Sequence, residues 1–291
     1  MKKKLIFRIK YIVQNLRTKF LFMVELWIDK IINYKWNNYP FGKKLRSTRE
    51  VYFQIFEKLK NYQNQIANDY MAKLNYDLEK EWLYNLALHT QVVIKDSDIS
   101  IDHGRLLYGH LRKYLEKKQN RDEVISILET GTARGFSAIC MAKALEDQKF
   151  NGTIYTMDII PHNNKFYWNC IDDTYFKKSR KELLEPWLDL TKKYIFFISG
   201  NSKIQLNKIH TDHLHFAFLD GAHTFDDLKN EFNYVNERQE KGDIIFLDDY
   251  NDILFPELVR AINKCCDLFQ YEKKIIDIGK SRKYVLAMKK N

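Results

Sequence analysis

The 291-residue sequence predicts an α/β protein: a doubly wound, mostly parallel sheet with an antiparallel C-terminal hairpin, preceded by an α-helical N-terminal extension. Three observations predict it. From residue 124 onward, short apolar runs alternate with segments of helical spacing, the pattern of a parallel sheet covered by helices on both faces. Residues 127–137, ILETGTARGFS, run from an apolar strand through two glycines into an apolar-periodic helix, so the glycines sit on a strand-to-helix turn that can cradle a ligand. The last two strand-like runs, 274–278 and 283–288, are joined only by Gly279-Lys280-Ser281-Arg282, too little chain for a crossover helix, so they must pair antiparallel.

Residues 1–36 open the chain with Leu5, Ile9, Ile12, Leu16, Phe20, Met23, Trp27 and Ile31 every three or four residues, an amphipathic helix pattern. Its longest apolar run, 20–24, ends at Glu25, far short of the roughly 20 residues a membrane span needs. Two readings stay open: a helix packed on its own domain or on a second copy of the chain, or a helix lying on anionic lipid at a membrane surface, which Lys2, Lys3, Lys4, Arg8, Lys10, Arg17 and Lys19 favour. Tyr39-Pro40-Phe41-Gly42 is a turn, and Phe56, Leu59, Ile66, Tyr70, Leu74, Leu78, Trp82 and Leu86 predict one long helix or a helical pair over 51–89. A break at 97–102 precedes a helix over 104–117, with His103 and Arg105 at its start, solvated or facing the ligand.

Beyond the strand 124–128 and the helix from residue 136, strands are expected over 153–157, 194–198, 214–219 and 243–247. Between them lie an aromatic loop and helix over 163–190, a short helix over 202–209 and helices over 225–238 and 255–269. Lys165-Phe166-Tyr167-Trp168 reads as a platform for a sugar or aromatic ring, or as a packed lid.

The net charge of +10 looks like a nucleic-acid signature until it is divided. Residues 1–50 hold 13 Lys and Arg against Glu25, Asp29 and Glu50, so residues 51–291 sum to zero and the catalytic part is not a binder of nucleic acid. Cys140, Cys170, Cys265 and Cys266 show no CxxC spacing, which points to reduced thiols and a cytoplasmic protein.

In an open doubly wound sheet, ligands bind beyond the carboxyl ends of the strands. Carboxylates stand at four of these ends: Glu129, Asp158, Asp220, and Asp248 with Asp249. Asp158 suits ribose hydroxyls, or caps the next helix. If the strands before Asp220 and Asp248 are neighbours, about 4.8 Å apart, their carboxylates converge and repel unless a cation lies between them. Oxygen donors suit Mg²⁺ or another hard divalent ion; the bland alternative is one helix cap and one solvated acid. His223, three residues after Asp220, stands where an imidazole could take a proton near neutral pH.

Together, residues 129–137 (ETGTARGFS), Thr156-Met157-Asp158, residues 218–225 (FLDGAHTF) and residues 245–250 (IFLDDY) resemble the class I S-adenosylmethionine-dependent methyltransferases, and within them the metal-assisted O-methyltransferases of the macrocin and catechol type. The resemblance spans about residues 100–291 and implies a Rossmann-like sheet with the terminal hairpin already inferred. It divides the chain into a helical extension, 1–95, and a methyltransferase domain, 96–291. It implies that Gly131 and Gly135 hold the methionine end of the cofactor, that Glu129, Thr132 and Ser137 of the same motif are cofactor-binding, and that Asp158 takes the ribose. Gly200-Asn201-Ser202 would lie by the adenine, with Asn201 where the family often has Asp. Asp220, Asp248 and Asp249 would be metal ligands, Asp220 also reaching the cofactor, and His223 the base.

The expected activity is methyl transfer to a hydroxyl of a sugar, a glycan or a small natural product, by a cytoplasmic enzyme whose residues 1–36 are open to contact with the inner membrane surface or a second copy. Two rivals remain: an NAD(P)-dependent oxidoreductase, from the 23-residue spacing of Gly135 and Asp158, and a membrane-surface binding protein with a degenerate domain. The missing middle glycine, replaced by Ala133, and the acids at the fourth and fifth strands oppose the oxidoreductase.

Overall fold

The computed structural model describes residues 16, 17, 19–21, 23, 24, 27, 42, 44–221, 223–279 and 282–291. The expected helix over 1–36 and the turn at 39–42 therefore lie largely outside the described residues. Three helices precede the sheet region, α1 (Arg49–Asn61), α2 (Gln65–Leu74) and α3 (Lys80–Thr90), followed by α4 (Asp102–Glu116). The sheet is then laid down as β1 (Ile125–Thr130), α5 (Phe136–Asp147), β2 (Gly152–Asp158), short helices α6 (Arg180–Leu183) and α7 (Leu188–Tyr194), and β3 (Ile195–Ser199). After α8 (Ser202–Gln205) come β4 (Phe216–Leu219), α9 (Phe225–Asn236), β5 (Ile244–Leu247), α10 (Pro256–Leu268), β6 (Tyr271–Asp277) and β7 (Lys283–Lys289).

The seven strands lie in the order β3-β2-β1-β4-β5-β7-β6. β1 to β5 are parallel, and β7 enters antiparallel between β5 and β6. The short link between Asp277 and Lys283 closes the antiparallel β6–β7 pair, as its length requires. Strand alternation splits the core in two. Phe216, Phe218 and Phe246 face a cluster built with Leu111 of α4, Ile139 of α5 and residues of α1–α3; Ala217, Leu219, Ile245 and Leu247 face Phe232 of α9 and Ile262 of α10. The order reverses between β1 and β4, which opens a crevice at their carboxyl ends, where the acids stand.

The segment expected as one long helix or a pair over 51–89 is three helices. Asn64 caps α2, its side chain accepting from Ala67 N, while Asn75 ends α2 in the left-handed region and Glu79 caps α3 by accepting from Glu81 N and Trp82 N. The expected helix within 163–190 is also broken. Phe166 and Trp168 are buried with Ile160, Cys170 and Leu183 in a separate small core, so they are not an open platform for a ring. All four cysteines are free and buried. Among the described residues no helix is long and apolar enough to cross a membrane.

Candidate active site

The β1–α5 turn is shaped by two glycines held in the left-handed region, both at φ 93. A Cβ on Gly131 would stand 2.1 Å from the Asp220 carbonyl oxygen, and one on Gly135 would stand 2.7 Å from Leu184 Cδ1. The turn therefore packs directly onto the chain leaving β4. Between the glycines, Ala133 also has positive φ; its N–H donates to Asp158 Oδ2 at 2.6 Å and its carbonyl accepts from Arg180 Nε at 2.8 Å. Asp158 Oδ1 accepts from Ile160 N at 2.9 Å, and Arg180 Nη2 lies 3.7 Å from Oδ2. Burial raises the Asp158 carboxyl above its usual range, against the pull of Arg180 and the two N–H donors.

Glu129, Thr132 and Ser137 are brought together, but beneath the turn. The Glu129 carboxyl is 0% exposed and accepts from the Ser137 and Thr156 hydroxyls, and Thr156 in turn bonds Thr132 at 2.6 Å. Burial pushes Glu129 up to about 7. This network braces the turn from below. Above it, a cavity of about 310 Å³ is lined by Gly131, Ala133, Asp158, Gly200, Asn201, Ser202, Asp220, Gly221 and Glu231 among others, within the size range of small-molecule sites. Asn201 also caps α8, its Oδ1 accepting from Lys203 N at 2.9 Å.

Parallel pairing of β4 with β5 sets Leu219 beside Leu247, so Asp220 and Asp248 leave the sheet side by side. Asp220, His223 and Asp249 each offer a ligand atom, and these atoms lie within 4.8 Å of one another. His223 Nε2 is 2.9 Å from Asp249 Oδ2, and its ring stacks on Phe255 at 4.5 Å. That hydrogen bond raises the His223 pKa, with burial opposing it. Desolvation, then Asp248 and Asp249, hold the Asp220 carboxyl well above the carboxylate range. Asp248 stands beside this trio, its Oδ1 accepting from Asp249 N at 2.6 Å. The set that converges thus differs from the Asp220, Asp248 and Asp249 set implied by the resemblance: His223 joins it and Asp248 flanks it.

Positive charge approaches the acids from outside the sheet. Lys95 and Arg282 both sense this group electrostatically, and Arg282 Nη2 donates to Asp98 O at 2.9 Å, tying the 94–100 loop to the hairpin link. His103 packs on Phe136 at 4.8 Å between ring centroids, and burial pushes it down to about 3, so it is neutral. Arg105 turns elsewhere, to Asp77 at 2.6 Å and Asp102 at 3.1 Å.

Two residues of the site were missed by sequence reading. Glu231 lines the cavity 1% exposed, with Thr130 Oγ1 donating to Oε2 at 2.9 Å, and burial pushes it up to about 7. Its signal was an acid on the apolar stripe Leu228, Phe232 and Val235 of α9. Arg180 is 1% exposed and clamps the Asp158 turn; the Ser179-to-Glu182 capping box announced its helix but not its inward direction.

A second group, Glu123, His213 and His215, gathers at the opposite end of the sheet. Ser126 N donates to His215 Nδ1 at 3.1 Å, so the ring carries its proton on Nε2, facing Glu123 Oε1 at 2.8 Å. A metal at that nitrogen would demand loss of the proton with no N–H left on the ring, so the group is a structural hydrogen-bond network.

Residues 128–250 match a family model described as a methyltransferase domain. No curated protein sequence matches the chain. Among solved structures, the O-methyltransferase NovP is 17% identical with a TM-score of 0.50, covering 78% of this chain and 97% of that one. The O-methyltransferase TomG from Streptomyces achromogenes, involved in tomaymycin synthesis and in complex with S-adenosylmethionine, is 18% identical with a TM-score of 0.50, covering 74% and 92%. The Podospora anserina methyltransferase PaMTH1, bound to S-adenosylhomocysteine, is 15% identical with a TM-score of 0.52, covering 79% and 97%. At these identities the likeness is one of fold, while the family match sets aside the nicotinamide-dependent reading. The glycine turn, the strand order and the match of residues 128–250 to a methyltransferase-domain model together support a class I, S-adenosylmethionine-dependent methyltransferase.

Proposed function

We propose that the chain methylates a hydroxyl oxygen of a sugar, a glycan or a small natural product, in the cytoplasm, with a divalent cation at the acidic site. The observation that carries this reading is the convergence of Asp220, His223 and Asp249 within 4.8 Å, at strand ends that also border the cofactor cavity.

The residues present fit both groups. The Gly131 approach, the Asp158 turn and the 310 Å³ cavity suit a nucleoside with an amino-acid arm. Carboxylates that repel one another, as Asp248 and Asp249 repel Asp220, suit a hard divalent cation. Asp220 and Asp249 would hold it, with Asp248 in reserve beside them. S-adenosylmethionine supplies an electrophilic methyl on its sulfonium, and the cation would supply charge stabilisation for the acceptor oxygen.

The chain's own part is positioning and proton transfer. Asp249 Oδ2 fixes the His223 proton on Nε2, which leaves Nδ1 as the lone pair to take the hydroxyl proton. Gly131 and Asp158 orient the donor, and the β4 and β5 ends orient the acceptor in line with it.

The test is turnover of labelled S-adenosylmethionine with host glycan and small-molecule fractions, with and without chelator, in wild type and Asp249→Asn. The reading expects activity lost with chelator and restored by Mg²⁺, and Asp249→Asn inactive while S-adenosylhomocysteine still binds. A second reading is favoured by Lys95 and Arg282 beside the acids, which give positive charge without a metal. Full activity in chelator, with Asp249→Asn still inactive, would select that metal-free pair of His223 and Asp249.

A further inference from the structure

Residues 1–36 are not absorbed by the methyltransferase domain, and the eight described residues among them have one property in common. Leu16, Arg17, Lys19, Phe20, Leu21, Met23, Val24 and Trp27 are all helical and all exposed. Leu16 is 62% exposed, Phe20 66%, Met23 66% and Trp27 68%. At about 100° per residue these four fall within a stripe of roughly 60°, with Arg17 and Lys19 on either side of it. Among the described residues nothing covers the stripe.

We propose that this helix binds the surface of an anionic lipid bilayer, lying in the interface with Leu16, Phe20, Met23 and Trp27 at the acyl boundary and Arg17 and Lys19 among the headgroups. Charge selects this occupant over a second copy of the chain. Residues 1–50 carry the whole net charge of +10, so pairing two such segments would bring like charges together while an anionic surface neutralises them. In the sequence, Lys2, Lys3, Lys4, Arg8 and Lys10 add to the same basic segment, against Glu25 and Asp29. Arg17 and Lys19 at the apolar boundary match a helix half sunk in anionic headgroups, where long cationic side chains reach outward along apolar surface. Trp27 is suited to the headgroup level, with an apolar ring and one N–H donor. The inference is independent of the acceptor and of the metal, and it places the catalytic cavity near acceptors carried at a bilayer.

The experiment sediments the full chain with vesicles of phosphatidylcholine alone and of phosphatidylcholine mixed with phosphatidylglycerol. Binding to the anionic vesicles should be about tenfold or more above the neutral ones and should fall with added salt. Phe20→Glu with Trp27→Glu should reduce it to the neutral level while leaving the thermal shift by S-adenosylhomocysteine intact, which shows that the domain is still folded. The proposal is overturned if the wild type stays in the supernatant, if both vesicle types bind equally, or if the double variant still binds. It is also overturned if light scattering without vesicles finds a wild-type dimer that the double variant dissolves.

Discussion

Gly131 is the residue at which the two halves of the site touch. A side chain there would meet the Asp220 carbonyl at 2.1 Å, backbone against which no rotamer can yield. Gly131→Ala should therefore weaken S-adenosylhomocysteine binding by on the order of a hundredfold, read by calorimetry, because the turn must shift by an ångström or more. Glu129 makes a separate prediction through pH. Its carboxyl is raised from 4.5 to about 7 in the folded state, mainly by burial. A raised acid stabilises the fold fully below its unfolded pKa and loses that contribution as pH rises through the folded value. Stability measured by urea unfolding should fall by on the order of 2–3 kcal/mol between pH 4.5 and pH 8 on this account. Glu129→Gln, which keeps partners for the rotatable Ser137 and Thr156 hydroxyls, should make the fall shallower by Glu129's share, leaving that of Glu231, which titrates in the same window; an unchanged slope would remove Glu129 as a source. The sequence showed this acid as a strand-end carboxylate like the others. What it could not show is that pleat alternation turns Glu129 toward Ser137 and Thr156 and away from the cavity, because the strand runs one residue further, to Thr130.

Among the elements, periodicity was a good guide to where a helix lies and a poor one to where it stops. The apolar spacing through 51–89 continues across two breaks because all three helices bury residues in the same core. The breaks themselves rest on single polar side chains. Asn64 Oδ1 accepts from Ala67 N at 3.2 Å, while its Nδ2 donates to Asp102 Oδ2 at 2.8 Å and to Ile278 O at 3.1 Å. One residue thus caps α2 and ties it to the start of α4 and the end of β6. Asn64→Ala should cost about 1–2 kcal/mol in denaturant unfolding, at the upper end for a cap because Asp102 loses a buried donor. A cost near zero would mean that the cap is replaced by water. The antiparallel pairing of the C-terminal hairpin, by contrast, was legible, since so short a link leaves no other geometry, although β6 begins at Tyr271 rather than at 274. The aromatic stretch 165–168 was not legible, because Trp168 is drawn inward by local bonds, its indole N–H donating to Lys178 O at 2.6 Å and its backbone N–H to Asp173 Oδ1 at 2.7 Å.

For the whole molecule, the strand order decides what can communicate. β4 lies between β1 and β5, so the chain leaving it borders the glycine turn on one side and the acidic pair on the other. Asp220 lines the cavity above the glycine turn, and its carboxylate also belongs to the cluster with His223 and Asp249. A cation held there would fix Asp220 and relieve its repulsion with Asp248 and Asp249, which preorganises one wall of the cofactor site. Binding free energies are reciprocal, so whatever the cation does for cofactor affinity, the cofactor must do for cation affinity. S-adenosylhomocysteine should bind about five- to a hundredfold more tightly with Mg²⁺ present than in chelator, and Mg²⁺ should bind more tightly by the same factor in its presence. Asp220→Asn should abolish the difference, because an amide neither repels the aspartates nor holds the cation as well. Paired calorimetric titrations close the thermodynamic cycle. Equal S-adenosylhomocysteine affinity with and without Mg²⁺, in a protein that binds Mg²⁺, would show that Asp220 serves two neighbouring sites without linking them.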